Sequence, residues 1–179
     1  MAGSNADGSG SFLASPLLKE VGDESRRAIA SRLEPGAARP GAVLLEQGRP
    51  NDRLWFVGDG SLAIERQRKG GPLDLLATLA GPAIFGTTTF FRSTVPSATI
   101  RAITALPYWT LDREAHEELR KDDPRAAEAL ALALVRVLSD RFDLLDLKIS
   151  GLMAEHAHDH PKASELATFR ARLFEDSAT

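Results

Sequence analysis

The sequence predicts an α+β protein in which an antiparallel β-roll or barrel is flanked by N-terminal helices and a long C-terminal helix. Three observations lead there. Apolar residues recur at helical spacing towards both ends of the chain, short runs of branched and aromatic residues fill the middle, and clusters of Gly, Pro, Asn and Asp separate those runs. Many short strands at regular intervals indicate an all-β roll or barrel between the helical ends.

The first eleven residues, Met1 to Ser11, are rich in Gly, Ser, Asn and Asp and read as a flexible tail without signal-peptide character. From Phe12 to Leu33, the residues Leu13, Leu17, Leu18, Val21, Ala28, Ile29 and Leu33 fall at helical spacings interrupted by Gly22, so two short helices are expected. Asp23 is the expected N-cap of the second, because its carboxylate can accept from free amides of the first turn. Pro35 and Gly36 are expected to end it. Strands are expected at Ala42 to Leu45, Leu54 to Val57, Leu62 to Arg66, Leu73 to Leu79, Ala98 to Ile103 and Tyr108 to Leu111. The reversals between them lie at Gly48-Arg49-Pro50-Asn51-Asp52, Gly58-Asp59-Gly60, Lys69-Gly70-Gly71-Pro72 and Gly81-Pro82. Leu54, Phe56, Leu62 and Ile64 are expected to face inwards.

After Asp112 a short helix is expected around Arg113 to Arg120, and a long one from Pro124, where proline suits a first turn. Within it Val135, Leu138, Phe142, Leu145, Ile149 and Leu152 are spaced 3, 4, 3, 4 and 3, the spacing of a coiled-coil seam. A second line, Leu130, Leu134, Val137 and Leu144, lies on another side, broken by Arg141. Two apolar faces imply two things to bury them, the roll and a second copy of the chain. A single wide face packed on the roll of a monomer is the alternative, and pattern alone leaves both open.

Composition narrows the function classes. At 179 residues the chain is the size of one domain. A net charge of -3 gives no field that attracts nucleic acid or an acidic membrane, so no nucleic-acid partner is expected. No run approaches the roughly 18 to 20 apolar residues of a membrane-spanning helix, so no direct membrane insertion is expected either. The absence of cysteine excludes disulfides, thiolate metal sites and a cysteine nucleophile, and a cytoplasmic setting is the expectation.

The landmarks Pro40-Gly41, Glu46-Gln47-Gly48, Asp52-Arg53-Leu54-Trp55-Phe56-Val57-Gly58-Asp59-Gly60, Gly81 before Ile84-Phe85-Gly86, and Ala98-Thr99-Ile100-Arg101-Ala102 together resemble the cyclic nucleotide-binding domains of bacterial catabolite-activator-like regulators, kinase regulatory subunits and gated channels. The resemblance covers about 140 residues, with a domain expected over 12–149 and a polar linker and short amphipathic segment over 150–179. It implies a double-stranded β-helix of jelly-roll type and a bacterial regulatory module. It also implies a phosphate cassette, Phe85 to Ala102. In members of that family a glutamate after Phe-Gly accepts from the ribose hydroxyl and a later arginine pairs with the cyclic phosphate, a charge-assisted contact.

Here Thr87 stands at the glutamate position and Pro96 at the arginine position. Threonine loses the charge and the reach, and proline offers neither charge nor donor. The pocket candidates are therefore Phe85, Gly86, Thr87, Thr88, Arg92, Pro96, Ser97 and Thr99, of which Arg92 could curl back as a substitute cation. Three β-branched residues, Thr87 to Thr89, could also replace the short cassette helix with a tighter turn or an extended segment that fills the pocket. No cofactor is expected, cyclic nucleotide being the ligand the resemblance implies and the cassette argues against. Arg101 reads as a solvated surface residue.

Other chemistry is sparse. His156, His158 and His160 alternate before Pro161, a weak metal signal in what reads as a polar linker. No histidine occurs from Gly41 to Leu111, which removes metal-dependent catalysis of the cupin type inside the roll, and His116 alone reads as a surface residue. An enzyme is not expected. Only 30 residues follow Ile149, too few for a helix-turn-helix module, so no DNA-binding domain is expected. They include Leu166, Phe169, Leu173 and Phe174 at helical spacings, a segment suited to docking on its own domain or on a protein partner. The expected function is a non-catalytic regulatory or scaffold module acting through homodimerisation and protein contacts. The alternative is a sensor that binds a cyclic nucleotide or another anion by non-standard contacts.

Overall fold

A computed structural model of the chain describes residues 18–92, 94–156 and 168. The expected tail at 1–11, Leu13 and Leu17, His158 and His160, and the segment Leu166, Phe169, Leu173 and Phe174 lie outside the described residues.

The described elements, in chain order, are α1 (Asp23–Ala30), β1 (Glu34–Ala38), β2 (Val43–Leu45), β3 (Arg53–Val57), β4 (Ser61–Gln67), β5 (Leu73–Ala80), β6 (Ala83–Phe85), α2 (Thr87–Arg92), β7 (Thr99–Ala102), β8 (Leu106–Asp112), α3 (Arg113–Asp122) and α4 (Pro124–His156). The strands form two four-stranded antiparallel sheets, β1-β8-β3-β6 and β2-β7-β4-β5. The predicted roll between helices is therefore the observed architecture. The chain divides into two compact units, and the division falls inside α4 between Leu134 and Val135.

The roll interior is an apolar cluster of Ala38, Leu44, Leu45, Val57, Leu62, Ala83, Phe85, Ile100, Ala102 and Leu106, with Ala42, Trp55, Leu79 and Tyr108 packed against it. On β3 the alternation is therefore the reverse of the expected one: Trp55 and Val57 face the roll interior. Leu54 and Phe56, also buried, lie on the opposite face of the same strand. That second face is apolar because helices cover it, with α2 packed on β3 and α3 on β8.

The segment after α1 is a strand rather than a stop. β1 includes both Pro35 and Gly36 and, among the described residues, pairs only with β8, Pro35 opposite Trp109 and Gly36 opposite Tyr108. Proline is tolerated on an edge strand, whose outward N–H has no ladder partner to lose. Glycine is required beside it, because a Cβ at Gly36 would lie 2.4 Å from the Tyr108 ring. Asp23 does not cap α1: Gly22 is the N-cap residue, and the Asp23 carboxylate pairs with Arg26 at 2.5 Å. Elsewhere aspartate caps as physics prefers. Asp112 Oδ1 accepts from the Ala115 amide at 2.8 Å to start α3, and Asp123 Oδ1 accepts from the Ala126 amide at 2.9 Å to start α4. α3 runs two residues past its expected end, to Asp122, and Arg32 bonds both Glu118 and Asp122 at 2.5 Å.

Candidate functional site

The cassette begins where β6 ends. Gly86 takes φ +83, and a Cβ there would meet the Arg53 carbonyl oxygen at 2.6 Å, so both conformation and space demand glycine. The chain then turns into α2, and the three threonines enter a helix after all. Thr89 explains how. Its Oγ1 donates to the Gly86 carbonyl at 3.0 Å and accepts from Asn51 Nδ2 at 2.9 Å, so a poor helix former is held from two sides. Asn51 Nδ2 also donates to the Arg53 carbonyl at 2.7 Å, and its Oδ1 accepts from Trp55 Nε1 at 3.1 Å. Trp55 in turn stacks on Phe85, ring centroids 5.9 Å apart, and tilts against Tyr108 at 5.2 Å. One hydrogen-bonded and stacked network thus fixes the start of the cassette.

Within the cassette, Phe85, Gly86 and Thr87 are buried and Thr88 is exposed; Thr87 is only 4% exposed. Arg92 is exposed at the C-terminal end of α2. Pro96 is buried, and its carbonyl accepts from the Gly48 amide at 2.9 Å. Thr99 Oγ1 accepts from the Gln47 amide at 3.0 Å, and the carbonyl of exposed Ser97 accepts from Arg66 Nε at 3.2 Å. The loop after β2 is therefore stitched to the segment before β7. Two of the sequence-predicted pocket residues contribute to that stitching, Pro96 through its carbonyl and Thr99 through its hydroxyl, while Ser97 is tied to Arg66 of β4.

Two residues differ from their expected surroundings. Arg101 is no solvated bystander, since its Nε bonds Glu65 Oε2 at 3.0 Å and its Nη1 bonds the Gly41 carbonyl at 3.0 Å. His116 is half-buried and meets Phe90 and Phe91 in edge contacts, with centroids 5.4 and 5.9 Å away. Burial pushes its pKa below the usual histidine range; Glu117 opposes that shift and Arg120 adds to it. Arg113, at the start of α3, donates from Nη2 to the Thr89 carbonyl at 3.1 Å and sits 6.0 Å from the Phe90 ring centre. A depression of about 470 Å³ lies here, lined by Phe90, Phe91, Arg113, His116, Glu117 and Arg120.

The missed members of the site are Asn51, Trp55, Tyr108 and Arg113. Asn51 was legible only as a turn residue, and the aromatic residues only as strand formers.

On α4, Val135, Leu138, Phe142 and Leu145 are 57%, 42%, 40% and 48% exposed, whereas Ile149 is 7% exposed. In the earlier turns of the helix Ala126, Ala127, Leu130, Ala133 and Leu134 are buried. Among the described residues there is no cluster of three or more His, Cys, Asp or Glu able to hold a metal ion, and no helix long and apolar enough to cross a membrane.

The fold agrees with that of known proteins. The cyclic nucleotide-binding domain family matches residues 35–123. The CRP-like cAMP-activated global transcriptional regulator of Mycobacterium tuberculosis is 28% identical over 144 residues, which is 78% of this chain and 64% of that protein. The chain thus spans less than two-thirds of that relative's length. A cyclic nucleotide-binding domain from Methylobacillus flagellatus superposes with a TM-score of 0.69 at 20% identity, covering 75% of this chain and 78% of the other. The catabolite activator protein of Thermus thermophilus superposes with a TM-score of 0.59 at 27% identity, covering 74% and 62%. Residues 35–123 thus form a domain of the cyclic nucleotide-binding domain family, whose members are regulatory, non-catalytic domains.

Proposed function

We propose that this chain is a regulatory or scaffold module whose cassette does not hold cyclic AMP or cyclic GMP in the usual way, and which acts by pairing with a second copy and binding a protein partner. The observation that carries the reading is the pair Thr87 and Pro96. Thr87 is buried where the family implies a carboxylate, and its side chain carries no charge. Pro96 is buried where the family implies a guanidinium, and its one polar atom already accepts from Gly48. A phosphate at this position would lose a charge-assisted partner worth about 1.5–3 kcal/mol, and each 1.4 kcal/mol or so is tenfold in affinity. Arg92, exposed at the far end of α2, supports no substitute contact. The exposed stripe Val135, Leu138, Phe142 and Leu145 supports the dimer.

The sensor reading rests on the helical cassette and the exposed Thr88 and Ser97. Calorimetric titration of the purified chain with cyclic AMP and cyclic GMP decides between them, the module reading requiring millimolar or no binding.

A further inference from the structure

The strand β5 is the free edge of the second sheet. It pairs with β4 along its inner side, and among the described residues no strand lies on its outer side. At eight residues it is also the longest described strand. Edge strands of this length usually carry lysine, proline or an inward charge against unwanted pairing. β5, Leu-Asp-Leu-Leu-Ala-Thr-Leu-Ala, has neither lysine nor proline, and its one charge, Asp74, pairs with Arg68 at 2.5 Å. Leu73, Leu75 and Leu76 are 53%, 64% and 46% exposed.

We propose that β5 pairs antiparallel with β5 of a second copy, about a twofold axis passing between Leu76 and Ala77. The strand's own sequence names this occupant. Turned on itself about that point, it sets Leu73 against Ala80, Leu75 against Thr78 and Leu76 against Ala77, so each exposed leucine faces a small residue. Asp74 falls opposite Leu79, and the two Asp74 carboxylates are five residues out of register, roughly 16 Å apart along the strands. No like charges meet. The register shift against β4, where Glu65 faces Leu75 and Ile64 faces Ala77, puts a bulge at Leu76. The bulges of the two copies then lie together at the axis and leave two ladder segments, residues 73–75 against 78–80 and the symmetric pair. This interface is separate from the α4 stripe, and two isologous interfaces on one chain join copies into assemblies larger than a dimer.

Cysteine cross-linking tests the register, and the natural chain has no cysteine to interfere. The double variant L75C/T78C, mildly oxidised and run on a non-reducing gel, is expected to give a band at twice the chain mass, while L75C and T78C alone stay single. Both side chains are exposed, and far-UV circular dichroism confirms that each variant folds. The same double variant carrying L138E/L145E, at high protein concentration, keeps the band if strand pairing stands apart from the helix contact. A double variant that stays single, single variants that link equally well, or a band lost with L138E/L145E each overturn the proposal.

Discussion

Replacing Asn51 with alanine removes the hub of the cassette network. The side chain makes three hydrogen bonds, to the Arg53 carbonyl at 2.7 Å, Thr89 Oγ1 at 2.9 Å and Trp55 Nε1 at 3.1 Å. At about 1 kcal/mol net each, the gross loss is about 3 kcal/mol. All three bonds are part-buried, so water reaches some of the abandoned groups and the expected loss is about 2–3 kcal/mol. For a domain of this size that lowers the melting temperature by roughly 5–10 °C. Differential scanning calorimetry measures it. A double-mutant cycle with Thr89→Val isolates one bond and should return a coupling of about 1 kcal/mol. The emission of Trp55 should shift as well, because its indole N–H loses its acceptor. A loss for Asn51→Ala below about 0.5 kcal/mol, or no coupling with Thr89, refutes the view that this network fixes the cassette.

Two further outcomes follow from the helices. His116 has its pKa lowered by burial against Phe90 and Phe91, so as pH falls the unfolded chain takes up the proton before the folded one. Its contribution to stability is therefore intact above the usual histidine pKa of about 6.5 and declines below it. Denaturation midpoints of the natural chain should fall more steeply than those of His116→Phe as the pH is lowered through that range, and parallel slopes contradict the assignment. On α4, the exposed stripe predicts self-association at tens of micromolar by sedimentation, reduced by L138E/L145E to whatever species β5 pairing alone holds. A natural chain that sediments as a monomer there contradicts dimerisation through this face.

The parts of the fold that were legible are those where local pattern and tertiary role coincide. β3, β4, β5 and β8 carry branched or aromatic runs between turn residues, and each expected run falls within the observed strand. β1 was illegible because Pro35-Gly36 has the composition of a helix stop; its strand state comes from the Tyr108 ring and the β8 ladder, both remote in sequence. The face assignment of Leu54 and Phe56 failed for a related reason. Both faces of β3 are buried, so alternation shows two sides without saying which one meets the roll. In the cassette, the positions of Phe85, Gly86, Thr87 and Pro96 could be read from the landmarks around them. The helix at Thr87 to Thr89 could not, because Asn51, remote in sequence, helps to hold it through a hydrogen bond to Thr89. His116 and Arg101 looked like surface residues because their partners, Phe90, Phe91 and Glu65, lie on other elements.

The claim on which the account turns is that Thr87 and Pro96 leave the cassette without the charge that holds a cyclic phosphate. Isothermal titration of the full chain with cyclic AMP and with cyclic GMP tests it most directly. The account predicts no saturable heat short of millimolar ligand for either nucleotide. A saturable isotherm with a micromolar dissociation constant contradicts it and establishes the chain as a sensor.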